Sequence, residues 1–235
     1  MVPAEQAVPL AEQASFDLGA ALGVPALTAH RCLTINEGGP AQLAPGALAG
    51  RTVLVTGGAG AVGHAAIQLA TWAGARVIST ISSDEKAALA RAAGAHHVVN
   101  YRTQDAAHLI RDLVPDGVDT IVDVAGAQNA GLDVAVIGRH GAVSVYADDG
   151  GAPITLPVRP LMLPNARWQF ILLYTEPASS KRAGVAAVQD AVAAGALEVG
   201  ERAGLPLHHF ALADTAAAHD AVENGTVGKV LIDIA

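Results

Sequence analysis

Short apolar runs alternate with amphipathic stretches along most of this chain. The runs predict strands at 52–56, 76–81, 97–100, 118–123 and 140–146. The stretches between them predict helices at about 61–73, 84–93, 105–113 and 128–137. Runs without internal polar alternation suit strands buried on both faces. Strands that alternate with helices predict an α/β fold, a doubly wound parallel sheet with right-handed crossovers. Before this block, Ser15 to Leu33 reads as mostly helical with an interruption near Pro25. Met1 to Gln13 reads as an irregular opening segment or an edge strand. After it, Asp148 to Pro164 carries Gly150, Gly151 and four prolines, the mark of a long and functional loop. Arg167 to Tyr174 then predicts a sixth strand, apolar on both faces, and Pro177 to Ala194 a long amphipathic helix. A short apolar stretch (Leu205 to Leu212), a helix (Asp214 to Glu223) and a last strand (Lys229 to Ile234) close the chain.

The first strand of the block, Val53-Leu54-Val55, runs directly into Gly57 and Gly58-x-Gly60-x-x-Gly63. Val62, Ala65, Ala66, Leu69, Ala70 and Ala73 then share one helical face. Strand, glycine turn and helix together match the fingerprint of a dinucleotide-binding unit. In that reading Gly58 permits the turn, Gly60 lets the backbone approach a pyrophosphate, and Gly63 lets helix and strand pack closely. The phosphates would lie on the free N–H groups at the helix N-terminus. A glycine triad alone says little in a chain with 25 glycines. The context strengthens it, because a second strand returns at Arg76 to Ile81. Glycines kept only for packing remain the alternative.

Cofactor preference is written after that second strand. An NAD site places an acid there for the ribose 2′-hydroxyl, but the strand ends in Ile81 and Asp84 and Glu85 come late. Ser82, Ser83 and Lys86 suit a 2′-phosphate, since charge-assisted hydrogen bonds are the strong ones. NADPH is therefore the favoured cofactor. Ser82-x-x-Glu85 also matches a capping box, and capping and phosphate binding can coexist.

Composition narrows the class. With 235 residues, 51% hydrophobic and 15% charged, the chain can bury roughly 70% of its unfolded surface. A net charge of −8 argues against nucleic acid as a partner. Cys32 alone allows neither an internal disulfide nor a Cys-rich zinc site. The pairs His96-His97 and His208-His209 would point to opposite strand faces, so no metal site is expected. No signal-like or membrane-spanning run is visible, and a soluble cytoplasmic protein is the expectation.

The stretches VTGGAGAVGHAAIQLA, VISTISSDEK and HVVNYR resemble the medium-chain dehydrogenase/reductase superfamily. Within it they are similar to the zinc-independent quinone oxidoreductases, the zeta-crystallin-like branch. GVPALTAHR and GKVLIDI fit the same family. The resemblance implies a Rossmann sheet and hydride transfer from NADPH to a quinone or an enone, without metal. It places Thr28 near the cofactor and Gly60, Ala61 and Val62 around the pyrophosphate. Ser83, Lys86 and Tyr101 would surround the 2′-phosphate, and Ala125 and Gly126 would line the groove. Tyr146, Phe170 and Leu172 would approach the nicotinamide, with Tyr146 the candidate proton donor. Tyr101 also fits a half-buried strand end, and Phe170 and Leu172 also fit a core or an interface. The family further implies a homodimer through strand 167–174. No Tyr-x-x-x-Lys follows the fourth strand, which argues against a short-chain dehydrogenase.

Relatives begin with a GroES-like catalytic domain, most of which lies upstream of this chain's first residue. The expected organisation is a catalytic-domain remnant at 1–33, the Rossmann domain at 34–174, and a helix with a C-terminal return at 175–235. Leu231, Ile232 and Ile234 would then lack part of their cover unless Met1 to Leu10 or a neighbouring chain supplies it. The functional alternative is a dinucleotide-binding module or subunit without independent turnover.

Overall fold

The computed structural model describes residues 7–148 and 150–234. Part of the predicted opening segment (Met1 to Gln6), and Asp149 in the long loop, lie outside the described residues. Helix α1 (Phe16–Leu33) leads to β1 (Thr52–Thr56), α2 (Ala61–Trp72), β2 (Arg76–Ile81), α3 (Asp84–Ala92) and β3 (His97–Asn100). Then come α4 (Ala106–Leu113), β4 (Val118–Asp123), α5 (Gly126–Val136) and β5 (Ile137–Val145). The chain continues through α6 (Val158–Met162), β6 (Arg167–Phe170), α7 (Ala178–Ala193), β7 (Leu207–Ala211), α8 (Thr215–Glu223) and β8 (Lys229–Asp233).

Strands β3-β2-β1-β4-β5-β6 form one sheet in that order, every pair parallel. The order reverses between β1 and β4, which opens a crevice at the carboxyl ends of those two strands. Side chains alternate across the sheet as period two requires. Val53, Val55, Val77 and Val122 enter the core under α1, α2, α3 and α7. Leu54, Ile78, Ile121 and Val143 enter the opposite core, with Ile110 of α4 and Val136 of α5. Among the described residues, no helix is long and apolar enough to cross a membrane.

Helix α1 bends at Gly23, two residues before Pro25, as its proline requires. Strand β5 begins at Ile137, ahead of the predicted 140. Ile137 pairs with Val118, and the register shifts before Ala142 resumes pairing with Thr120. The sixth strand is shorter than predicted. Ile171 N still bonds Val145 O, but Leu173–Thr175 turns into a 3-10 helix, so Leu172 to Tyr174 leave the sheet. Nor is the strand apolar on both faces in place: Arg167, Gln169 and Phe170 are exposed and Trp168 is half-buried. Helix α6 inside the long loop was not legible, because its prolines read as breakers. Pro157 and Pro160 sit at the N-cap and first turn, where proline is tolerated.

The C-terminal return is a parallel β7–β8 pair crossed over by α8. Two contacts pin it to the Rossmann unit. His64 of α2 shares a 2.7 Å hydrogen bond with Ala203 O, and Gly204, at φ +85°, lies so close to Leu89 O that a Cβ would stand 2.2 Å from it. The expected loss of cover is partial. Leu231 is buried, Ile232 is half-buried and Ile234 is 82% exposed. The described part of the opening segment, from residue 7, lies against α1 and α7. Leu10 lies against Gly19 of α1, and Pro9 O accepts from Gln189 of α7.

Candidate functional site

The crevice between β1 and β4 is built by backbone turns. Its left-handed residue is Gly57, at φ +66°, so the turn's conformational demand falls one residue earlier than the sequence suggested. Gly58 answers a different constraint. A Cβ there would stand 2.1 Å from Ser79 Oγ and 2.8 Å from Ile67 Cδ1. Gly63 takes the predicted packing role, since its Cβ would lie 2.4 Å from Gly57 O. Gly60 is the N-cap of α2 and has no side-chain cap. Nothing approaches its Cβ position closer than Gly57 O at 3.4 Å, and Gly60, Ala61 and Val62 reach the surface. The first-turn amides of α2 thus face an open cradle with the positive end of the helix dipole behind them.

At the neighbouring strand, β2 ends at Ile81 with no acid in the strand's last turn. The N-cap of α3 is Ser83, whose Oγ accepts from Lys86 N at 3.3 Å. This displaces the predicted Ser82–Glu85 capping box by one residue and leaves Ser82 and Glu85 outside the cap. Asp84 and Glu85 are exposed, while Lys86 is half-buried and its ammonium forms no ion pair among the described residues. Tyr101 N bonds Ile81 O at 3.1 Å, which brings Tyr101 to the same end of the sheet with its ring exposed. Ser83, Lys86 and Tyr101 therefore share one rim of the crevice.

The opposite wall is the β4–α5 turn. Ala125 is the N-cap of α5 and Gly126 its first residue. A Cβ on Gly126 would meet Val145 Cγ1 at 2.8 Å and Ile154 Cδ1 at 2.9 Å, so the glycine fits a tight seat against β5 and the long loop. Asp123, at the end of β4, is fully buried. Its Oδ1 accepts from Thr56 Oγ1 (2.8 Å), Ala125 N (3.0 Å) and Asn129 Nδ2 (2.6 Å). Thr56 Oγ1 in turn accepts from Val124 N at 3.0 Å. Sequence reasoning missed this clamp. Its signal was present: Thr56 and Asp123 are polar residues that directly follow the apolar runs Val53–Val55 and Ile121–Val122 of two neighbouring strands.

Tyr146 follows β5, with its N–H on Asp123 O at 3.1 Å. Its ring packs on the core that contains Cys32 and Ile171. Burial first, then Cys32 and Asp123, push the phenol up, so it stays protonated at neutral pH. Thr28 is buried within α1. Phe170 and Leu172 are 61% and 58% exposed, which removes the core reading for both and leaves a contact surface. The histidine pairs diverge as expected: His96 Nδ1 accepts from Val77 N, His97 faces Arg76, His208 faces Val227 O, and His209 faces Asp233.

Comparison with known proteins fits this geometry. A 2-haloacrylate reductase from a Burkholderia species is 32% identical over 193 residues, which cover 78% of this chain and 55% of that protein. The quinone oxidoreductase of Pseudomonas syringae superposes with a TM-score of 0.78 at 26% identity, covering 96% of this chain and 67% of that one. A mycobacterial protein solved complexed with NADPH superposes with a TM-score of 0.77 at 28% identity, covering 95% of this chain and 66% of that one. The chain thus spans a little over half the length of the curated reductase it matches. The family model described as zinc-binding dehydrogenase matches residues 61–190, more than half of the chain. With a six-stranded parallel sheet and a glycine cradle at its switch point, the chain belongs to this family of medium-chain dehydrogenases/reductases and is quinone oxidoreductase-like.

Proposed function

We propose that this chain carries the nucleotide site of an NADPH-dependent oxidoreductase that reduces a quinone or an activated alkene by hydride transfer, without metal. One observation carries the cofactor choice. Strand β2 ends without an acid, and Ser82, Ser83 and the unpaired Lys86 follow it at the rim of the crevice. The names of the relatives support the substrate class, and a neighbour bound to NADPH supports the cofactor. When bound, the nicotinamide supplies the hydride. The residues of this chain bind and orient: amides of Ala61, Val62 and Gly63 take the pyrophosphate, and Ser83, Lys86 and Tyr101 take the 2′-phosphate. Ala125 and Gly126 form the facing wall. Tyr146, protonated and half-buried beside the wall, is the residue of this chain nearest to a donor role. Thr28 is the proposed contact from α1. The exposed Phe170, Leu172 and Tyr174, beside the edge strand β6, are proposed as the two-fold contact of a homodimer.

The test is calorimetric titration with NADPH and NADH. Lys86→Ala should weaken NADPH by tenfold or more, from about 1.5–3 kcal/mol for a charged hydrogen bond, and leave NADH unchanged. Equal affinity of the wild type for both nucleotides would overturn the NADPH assignment. A dinucleotide-binding module or subunit without independent turnover is the second reading. NADPH oxidation against quinones and enones separates the two.

A further inference from the structure

Beneath the β4–α5 wall lies a second carboxyl group that the proposed function does not use. Asp133 sits on α5 one turn after Asn129, on the same face, and is fully buried. Asn129, one turn before it, holds the Asp123 carboxylate, which lies close enough to Asp133 to push it up. If both groups were ionised, both oxygens of Asp133 and Oδ2 of Asp123 would be buried without a donor. Unmatched buried acceptors and a buried like-charge contact are both strongly unfavourable. Neither carboxyl forms an ion pair with Lys, Arg or His among the described residues. One proton between the two groups removes the like charge and pairs one oxygen of each: Asp133 O–H donates, Asp123 Oδ2 accepts, and the other Asp133 oxygen is left as an uncharged carbonyl.

We propose that Asp133 is a positioning residue: it holds the proton it shares with Asp123, and through Asp123 it fixes the turn that walls the nucleotide crevice. The link is short. Asp123 Oδ1 holds Ala125 N and Thr56 Oγ1, and Thr56 holds Val124 N. Val124 Cγ1 lies 3.0 Å from where a Gly57 Cβ would be, so the wall and the glycine turn are packed together. Anchoring one oxygen of Asp123 with three donors requires the other oxygen to be satisfied as well, and Asp133 is the group in place to do so.

Burial first, then the charge of Asp123, push Asp133 up to about 9. The other groups that face the pair do not titrate near neutrality. The Tyr146 phenol beside Asp123 and the buried Cys32 thiol behind it are both pushed up by burial, and Thr56 and Asn129 are neutral. Arg111 is engaged with the carbonyls of Ala135 and Ile137 past the far end of α5. Above about pH 9 the pair therefore gains a charge that repels both Asp123 and the phosphates above it.

The inference rests on the proposed nucleotide site, and the experiment separates the two. Dissociation constants for NADPH and NADH are measured from pH 7 to pH 10 on the wild type, Asp133→Asn and Asp133→Ala. Asparagine keeps a donor for Asp123, and alanine does not. The wild type should lose tenfold or more in affinity across the alkaline range. Asp133→Asn should stay within threefold of the wild type at pH 7 and show no alkaline loss, and Asp133→Ala should be weak throughout. NADH serves because it lacks the 2′-phosphate that Lys86 would hold. An alkaline loss that persists in Asp133→Asn, or an Asp133→Ala variant that binds like the wild type, would overturn the proposal. A wild type that binds neither nucleotide at pH 7 would refute the functional reading instead. The pair is then decided by the carboxyl carbon resonance of Asp133 in labelled protein: titration near 9 supports it, and titration in the ordinary carboxylate range refutes it.

Discussion

Alanine at Gly60 and alanine at Gly63 should separate a glycine kept for a ligand from one kept for packing. At Gly63 the new Cβ would lie 2.4 Å from Gly57 O and 2.9 Å from Gly58 Cα. Both atoms are backbone, so α2 must move off β1. Overpacking of this kind costs about 1–3 kcal/mol. Because the clash is with backbone, the upper half of that range, about 2–3 kcal/mol, applies, and the roughly 1 kcal/mol that alanine returns in helix propensity leaves a net loss of about 1–2 kcal/mol. At about 2–4 °C per kcal/mol for a chain of this size, Tm should fall by about 2–8 °C. At Gly60 the backbone is extended (φ −86°, ψ 163°), which any residue adopts, and the nearest atom is 3.4 Å away. The weaker N-cap and the stiffer unfolded chain offset each other to within about 0.5 kcal/mol. Tm should then hold within about 2 °C. The same methyl group would stand in the open cradle, so NADPH affinity should fall at least tenfold, about 1.4 kcal/mol. Thermal unfolding and calorimetric titration of the two variants read both quantities. Wild-type affinity in Gly60→Ala would refute the phosphate placement, and a Tm loss equal to that of Gly63→Ala would return the triad to packing alone.

Three further outcomes are expected. Asp133 is held up at about 9 in the fold against 3.8 ordinarily, so its contribution to stability is full below about pH 4 and is lost as pH rises to about 9. Asp133→Asn should flatten denaturant stability across that window, and parallel slopes would refute the assignment. Burial lowers His30 to about 4, and its Nε2 accepts from Leu43 N at 3.3 Å. Stability from His30 is therefore present above its ordinary value of 6.5 and lost as pH falls from there to about 4, a loss His30→Gln should reduce. Phe170→Asp with Leu172→Asp should convert a dimer to monomer by light scattering without a change in Tm above a few degrees, and a monomeric wild type at micromolar concentration would refute the interface.

The parallel sheet was legible because each strand is a bounded apolar run and each helix a bounded amphipathic stretch, so boundaries moved by only a few residues. The places where reading failed share a cause. Helix α6 hides behind prolines whose position in the first turn makes them harmless. Strand β6 was overextended because Ile171 to Leu173 continue its apolar run, yet the chain turns there into a 3-10 helix. The α3 cap was displaced by one residue because Ser82 and Ser83 are chemically equal, and only the geometry of Lys86 N distinguishes them. The Thr56–Asp123–Asp133 cluster was invisible as a cluster, since its members are far apart in sequence and meet only where β1, β4 and α5 converge.

That convergence bears on how an acidic chain can hold an anionic cofactor. The net charge of −8 supplies no general attraction for a dinucleotide, so affinity must come from local groups. In the proposed site those groups are Lys86 and the Ser83 cap at one rim and the open amides of α2 in the cradle. Beneath the remaining wall lie two buried aspartates, which would oppose the phosphates if both were charged. A shared proton halves that opposition and makes the pair the anchor for Ala125 N–H directly and for Val124 N–H through Thr56. The wall is then set by a carboxylate that accepts from Asp133 below and is tied by three donors from above. Nucleotide affinity should therefore depend on salt mainly through Lys86, at the open rim, and on alkaline pH mainly through Asp133, which solvent ions do not reach.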